Sequence, residues 1–160
     1  MRVPIKQEEQ MVIEGSFTVK APIQKLWDML LQPETLAACL PGAEKIEKID
    51  ETTYDAVVKQ KVGPIKVKLA FRNKLVNVQP PTHLELDGEG EDVTKLGHIK
   101  QKTSVDLKDM GNGQVEVSYK ADVSMVGKLA MFGDRIMKSK AKDVEKEFTA
   151  NLQEKMKGVA

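Results

Sequence analysis

"VEVSYKADVSMVGKLAMFGDRIMKSKAKDVEKEFTANLQEKM", Val115 to Met156, decides the fold, because its hydrophobic period changes once, at Gly127. Before Gly127, Val115, Val117, Tyr119, Ala121, Val123 and Met125 alternate with Glu116, Lys120 and Asp122. A period of two puts the first set on one face of a strand and the second set on the other. After Gly127 there is no proline, and Leu129, Phe132, Ile136, Met137, Val144, Phe148, Leu152 and Met156 recur at helical spacing among Lys, Asp and Glu. This predicts one long amphipathic helix from Lys128 to Met156, about seven turns.

The same alternation extends upstream. "GHIKQKTSVDL" sets Ile99, Val105 and Leu107 against Lys100, Lys102 and Asp106. "IKVKLAFRNKLVNV" sets Ile65, Val67, Leu69 and Phe71 against Lys66, Lys68 and Arg72. Each reads as an antiparallel strand with one wet face. "TYDAVVKQKV" places Tyr54, Ala56, Val58 and Val62 on one side, and "AEKIEKI" leads into it. "THLELDGEGE" reads as a short strand ending in a Gly-rich acidic turn. Gly63-Pro64, Pro80-Pro81 and "KDMGNGQ" are the turn signals between these segments.

Nearer the N-terminus, residues 1–10 read as a loose leader and "MVIEGSFTV" as a strand. In "KAPIQKLWDMLLQ", Pro22 suits the first turn of a helix whose stripe is Ile23, Leu26, Trp27, Leu30 and Leu31. Pro33 opens a second short helix, "PETLAACL", which Pro41-Gly42 ends. The order is strand, two short helices, six further strands, one long helix. The expected fold is one α+β domain over residues 1–160. A curved seven-stranded antiparallel sheet wraps the C-terminal helix, the only element long enough to cover its dry face. A strongly curved sheet around a single helix leaves room for a ligand between them.

Composition narrows the function. The 160 residues are 41% hydrophobic and 31% charged, enough for a core. Lys and Arg number 25 against 24 Asp and Glu, so no electrostatic case exists for nucleic acid. Cys39 is the single cysteine, which excludes an internal disulfide and a thiolate cluster and reads as core. "MRVPIKQEEQ" has no signal-peptide h-region, and no apolar run reaches bilayer length, so a cytoplasmic protein is expected.

Chemistry is sparse. His83 and His98 fall in different strand-like segments without a nucleophile beside them and read as surface residues. "GEGED" reads as a solvated turn rather than a cation site, and no zinc, EF-hand or phosphate-loop pattern occurs. The inferred inward positions are apolar, with Tyr54, Tyr119, Gln60, Gln101 and Thr103 as polar exceptions. Apolar walls with few polar handles suit binding an apolar molecule. Acid–base catalysis would require a tuned ionisable group there, and among the inward positions only tyrosine offers one.

"EGSF", "AP…W", "P…LAACLPG", "VGPIK", "LDGEGE" and "GKLAMFGDRIM" together resemble the CoxG family of carbon monoxide dehydrogenase subunits over about residues 11 to 155. "LAACLPGAE" followed by "VGPIK" is the specific part. The resemblance implies the START-like (SRPBCC) helix-grip fold. It further implies a non-catalytic accessory protein with an apolar cavity for a quinone- or lipid-like ligand, and no cofactor of its own. As partner it implies a molybdenum-containing carbon monoxide dehydrogenase-type hydroxylase. Some relatives carry a further tail that could reach a membrane. This chain ends at "NLQEKMKGVA", so membrane association is expected to be peripheral at most, at the inner face.

The expected ligand-binding residues are Trp27, Leu69, Phe71, Val117, Tyr119, Phe132 and Ile136. Leu40 of "CLPG" joins them as an entrance rim opposite "VGPIK". The competing readings are a cyclase- or aromatase-like enzyme of the same fold and a cavity-less interaction module. A homodimer through an exposed edge strand is open to any of them.

Overall fold

The computed structural model describes residues 8–157, with side chains from residue 10 onward. Seven strands form one antiparallel sheet: β1 (Glu8–Lys20), β2 (Ala43–Lys48), β3 (Thr53–Val62), β4 (Ile65–Gln79), β5 (His83–Asp92), β6 (Gly97–Asp109) and β7 (Gln114–Gly127). Helices α1 (Ile23–Leu30) and α2 (Pro33–Cys39) follow β1, and α3 (Gly133–Lys157) follows β7. The strand order is β1-β7-β6-β5-β4-β3-β2. β2 to β7 are successive hairpins, and β1 lies beside β7. The two short helices carry the chain from one sheet edge to the other.

The register confirms the faces read from the alternation. Met11↔Val123, Phe17↔Val117 and Val19↔Val115 pair across β1 and β7, and Ile99↔Met125 and Leu107↔Val117 pair across β6 and β7. These side chains point toward α3. The outward set is charged and includes a two-bond Arg72–Asp55 pair at 2.7 and 2.8 Å.

The buried side chains fall into two clusters rather than one core. The first joins Val19, Leu26, Trp27, Cys39, Leu84, Leu107, Val115 and Val117 to Leu152 and Met156 at the end of α3. The second joins Met11, Val62, Val67, Leu69, Ile99 and Met125 to Leu129, just ahead of α3. Fully burying one such side chain contributes about 1.5–3 kcal/mol, so each cluster pins one end of the helix to the sheet.

Four boundaries differ from the sequence reading. The first strand already begins at Glu8, so residues 8–10 of the expected leader are paired, Gln10 opposite Ser124. The rest of that leader lies outside the described residues. Pro22 is the N-cap of α1 (φ −66°, ψ 140°) rather than part of its first turn. "GEGED" is not a turn, because β5 runs through it to Asp92. Its glycines admit inward side chains of the neighbouring strands; Phe71 lies on Gly90, where any Cβ would strike its ring. Finally, Lys128 does not begin the long helix. Lys128–Phe132 is a separate 3-10 turn, and Gly133 at φ +74° breaks it from α3. A helix needs negative φ, and glycine takes the positive one cheaply.

Candidate functional site

Between the two clusters the inner face changes character. Ile13, Phe17, Phe71, Asn73, Leu75, Leu86, Gln101, Thr103, Val105, Tyr119 and Val123 are only half-buried, as are Val144, Glu145 and Phe148 on the facing side of α3. Most of the apolar ones pack on one cluster or the other while keeping part of their surface accessible: Phe17, Leu75, Leu86, Val105 and Phe148 on the first, Ile13, Phe71 and Val123 on the second. The walls there are mostly apolar.

Two polar groups interrupt them. Gln101 Nε2 donates to Asn73 Oδ1 at 3.1 Å, and Thr103 Oγ1 donates to Gln101 Oε1 at 3.2 Å. This chain of amides and hydroxyl lies over Gly88, where a Cβ would meet Asn73 Oδ1 and Gln101 Nε2. The second group joins the sheet to the helix. Tyr119 Oη donates to Glu145 Oε1 at 2.5 Å. Gly15, paired with Tyr119 across β1 and β7, leaves the hollow in which both lie. Burial raises the Tyr119 pKa well above its ordinary value, and the hydrogen bond and charge of Glu145 raise it further. The phenol is therefore held protonated. Beside this pair Phe17 and Phe148 meet edge to face, with ring centroids 6.2 Å apart, and close the space toward the first cluster.

The expected ligand-binding residues divide. Trp27 and Val117 are buried in the first cluster, and Leu69 is buried in the second. Phe71 and Tyr119 line the half-buried middle. Phe132 packs on the second cluster from the 3-10 turn. Ile136 is 46% exposed and leaves the inward stripe, because the break at Gly133 resets the helix phase. Leu40 is half-buried directly after α2. Pro41-Gly42 does not face "VGPIK" across an opening: Gln60 Nε2 donates to Pro41 O at 2.6 Å, only two residues before Val62. The corner and the hairpin are neighbours along β3. Gly42, at φ +83°, makes the reversal, and Lys59 donates its N–H to the Gly42 carbonyl.

Other polar residues hold the scaffold. Tyr54 Oη donates to Leu31 O at 2.6 Å and ties β3 to the end of α1. Asn151 Nδ2 donates to Cys39 O at 3.0 Å, and burial raises the Cys39 thiol pKa. Asp92 is fully buried and accepts from the N–H groups of Lys68 and Thr94 and from the Thr94 hydroxyl. Burial alone would raise its pKa; these donors outweigh it and bring it below the usual carboxylate range. His83 bridges Glu85 (2.8 Å) and Asp106 (2.6 Å) on the outer face, which raises its pKa.

Open depressions also mark that outer face. One, about 1070 Å³, mixes Arg72, Lys74, Lys100 and Lys102 with Asp87, Glu89 and Asp122, and its lining also takes in Met11, Gln101 and Val123 and, from α3, Asp134 and Lys138. Such interleaved charge favours neither an apolar nor a strongly ionic ligand. Among the described residues no cluster of His, Cys, Asp or Glu is placed to hold a metal ion, and no helix is long and apolar enough to cross a membrane.

Glu145 and Asn73 were missed by the sequence reading. Asn73 continues the inward parity of Phe71 and was legible. Glu145 sits in the charged run "KDVEKEF", yet it is four residues after Ala141 and three before Phe148, on the inward stripe.

The fold is shared widely. A conserved protein from Geobacillus kaustophilus superposes with a TM-score of 0.84 at 24% identity, over 92% of this chain and 96% of that one. A START superfamily protein from Mycobacterium smegmatis gives 0.70 at 10% identity, over 93% and 99%. The Zhui aromatase/cyclase from Streptomyces sp. R1128 gives 0.68 at 11% identity, over 93% and 94%. At these identities the likeness establishes the START-like fold. No curated protein matches the chain in sequence. The family model of the carbon monoxide dehydrogenase subunit CoxG matches residues 15–157, almost the whole described chain, and the protein belongs to that family.

Proposed function

We propose that the protein is a non-catalytic accessory subunit that holds an apolar, quinone- or lipid-like molecule between the sheet and α3. It would act in the cytoplasm, beside a molybdenum-containing carbon monoxide dehydrogenase-type hydroxylase. One observation carries the binding reading: the inner face is half-buried and mostly apolar midway between two closed clusters. An apolar surface left accessible inside a fold gains free energy when a ligand covers it, about 25 cal/mol per Å². The family supports the partner.

Native mass spectrometry of the purified protein, followed by organic extraction, tests this. A co-purified or added quinone or lipid retained at one equivalent is the expected result. A ligand-free mass with no uptake from a quinone and lipid panel defeats the reading.

A cyclase-like enzyme is the second reading, favoured by one observation: Glu145 places an ionisable carboxylate inside the fold, against a protonated phenol. Turnover of a poly-β-ketone analogue, lost in Glu145→Gln, would establish it in place of the first.

A further inference from the structure

Glu145 is placed where the helix meets the sheet. It is half-buried on the sheet-facing side of α3, and among the described residues no Lys, Arg or His nitrogen lies within the 4 Å of an ion pair. The partner of its carboxylate among the described residues is the Tyr119 hydroxyl, on Oε1. Oε2 is left as an acceptor. Because Tyr119 spends its proton on Glu145, the phenol oxygen is also left as an acceptor. The surroundings are Ile13, Phe17, Val105, Ala121 and Phe148. No buried side-chain oxygen of the described residues lacks a hydrogen-bond partner, so Oε2 is on the accessible side of the carboxylate, where a donor can reach it, and an apolar setting strengthens that hydrogen bond.

Gly15 makes this arrangement specific to the pair. A Cβ there would run into both Glu145 Oε1 and Tyr119 Oη, so the strand keeps a hollow beneath them. Tyr54, by contrast, uses its hydroxyl on a backbone carbonyl and serves only to fasten α1.

We infer that the Tyr119–Glu145 pair is the polar anchor of the ligand site and that it selects an apolar molecule carrying a hydroxyl donor, such as a phenol or hydroquinone, over the corresponding ether or carbonyl form. This rests on the binding reading above and adds the functional group that the ligand must carry. A carbonyl oxygen placed at Glu145 would face a carboxylate with no proton between them. A ligand hydroxyl supplies that proton and leaves the Tyr119–Glu145 hydrogen bond intact. Atoms stay where they are: the ligand O–H donates, and no bond is made or broken.

The test compares 2-naphthol with 2-methoxynaphthalene by isothermal titration calorimetry on the wild-type chain. Both present the same rings, and only the first can donate. The expected result is about tenfold tighter binding of 2-naphthol, the scale of one hydrogen bond to a charged acceptor. Glu145→Leu should bring the two affinities together, and Glu145→Gln, nearly isosteric, should narrow the gap. Tyr119→Phe should retain the preference, since it frees Oε1 as well. Circular dichroism melting confirms that each variant is folded. Equal affinities in the wild type, or a preference that survives Glu145→Leu, overturn the anchor while leaving the groove reading standing. Failure of both naphthalenes to bind overturns the groove reading and the anchor with it.

Discussion

At the scale of single residues, two positions carry more than their size suggests. Gly15 is the only residue type compatible with the seat of the Tyr119–Glu145 pair, since a Cβ would occupy the same space. Gly15→Ala is therefore expected to cost about 1–3 kcal/mol in urea unfolding, as overpacking does elsewhere, and to displace the Tyr119 ring signals in NMR spectra. An unchanged midpoint would mean that the helix yields freely at this point. Asp92 gives the pH counterpart. Its folded pKa lies below its ordinary value near 3.8, so the stability it supplies is fully present above that value. That stability is lost as the pH falls through the folded value. Asp92→Asn should lower stability by about 2 kcal/mol at neutral pH. The gap between the two proteins should narrow in urea titrations carried below pH 3.8. A gap that is independent of pH would rule out the charged form as the stabilising one. Glu145 shows why residue-scale function was hard to read in the sequence. Charge marks a helix position as wet by default, and only the topology reveals which charged side chain the sheet receives.

At the scale of elements, alternation made the strands legible because each has one wet face, and the register then follows from the hairpins. The failures occurred where glycine has two meanings. In "GEGED" a glycine-rich string reads as a turn, while here glycine is the strand residue that lets Phe71 and Asn73 lie across β5. At Gly133 an uninterrupted apolar stripe reads as one helix, while a positive φ divides it. No side chain lies near the position a Cβ would take at Gly133, so Gly133→Ala should meet only the conformational cost of its φ 74°, ψ 169° backbone, about 1–3 kcal/mol, in thermal or urea unfolding. The division also predicts uneven helix stability. Leu152 and Met156 are buried, whereas Asp134, Arg135, Ile136 and Lys138 are exposed. Amide hydrogen exchange should be faster over the first two turns of α3 than over the last two. Uniform protection along α3 would show that the helix opens as a unit and that the break at Gly133 has no dynamic consequence.

At the scale of the whole molecule, the defining feature is that the core is split. One cluster holds α1, α2 and the end of α3; the other holds the 3-10 turn and the strands near Met125. The sequence allowed a curved sheet around one helix to be anticipated. It did not separate Trp27 and Val117 from Phe71, because all three are apolar and only packing distinguishes buried from half-buried positions. A ligand seated between the clusters would touch both and bind the native state alone. It would then stabilise the fold by mass action, by about 2.7 kcal/mol when present at one hundred times its dissociation constant. For a domain of this size that corresponds to roughly 5–10 °C in melting temperature. The same ligand should slow amide exchange on the two sides together, at Phe71 and Val123 as well as at Val105 and Tyr119, since filling the middle joins two otherwise separate packing units. A compound bound on the outer face would leave the side-chain NMR signals of Phe17, Val105 and Phe148, which pack toward α3, unchanged. Differential scanning fluorimetry with 2-naphthol, followed by side-chain NMR on the same sample, therefore separates an interior ligand from a surface one. A melting shift without change in those signals would place the binding site outside the groove.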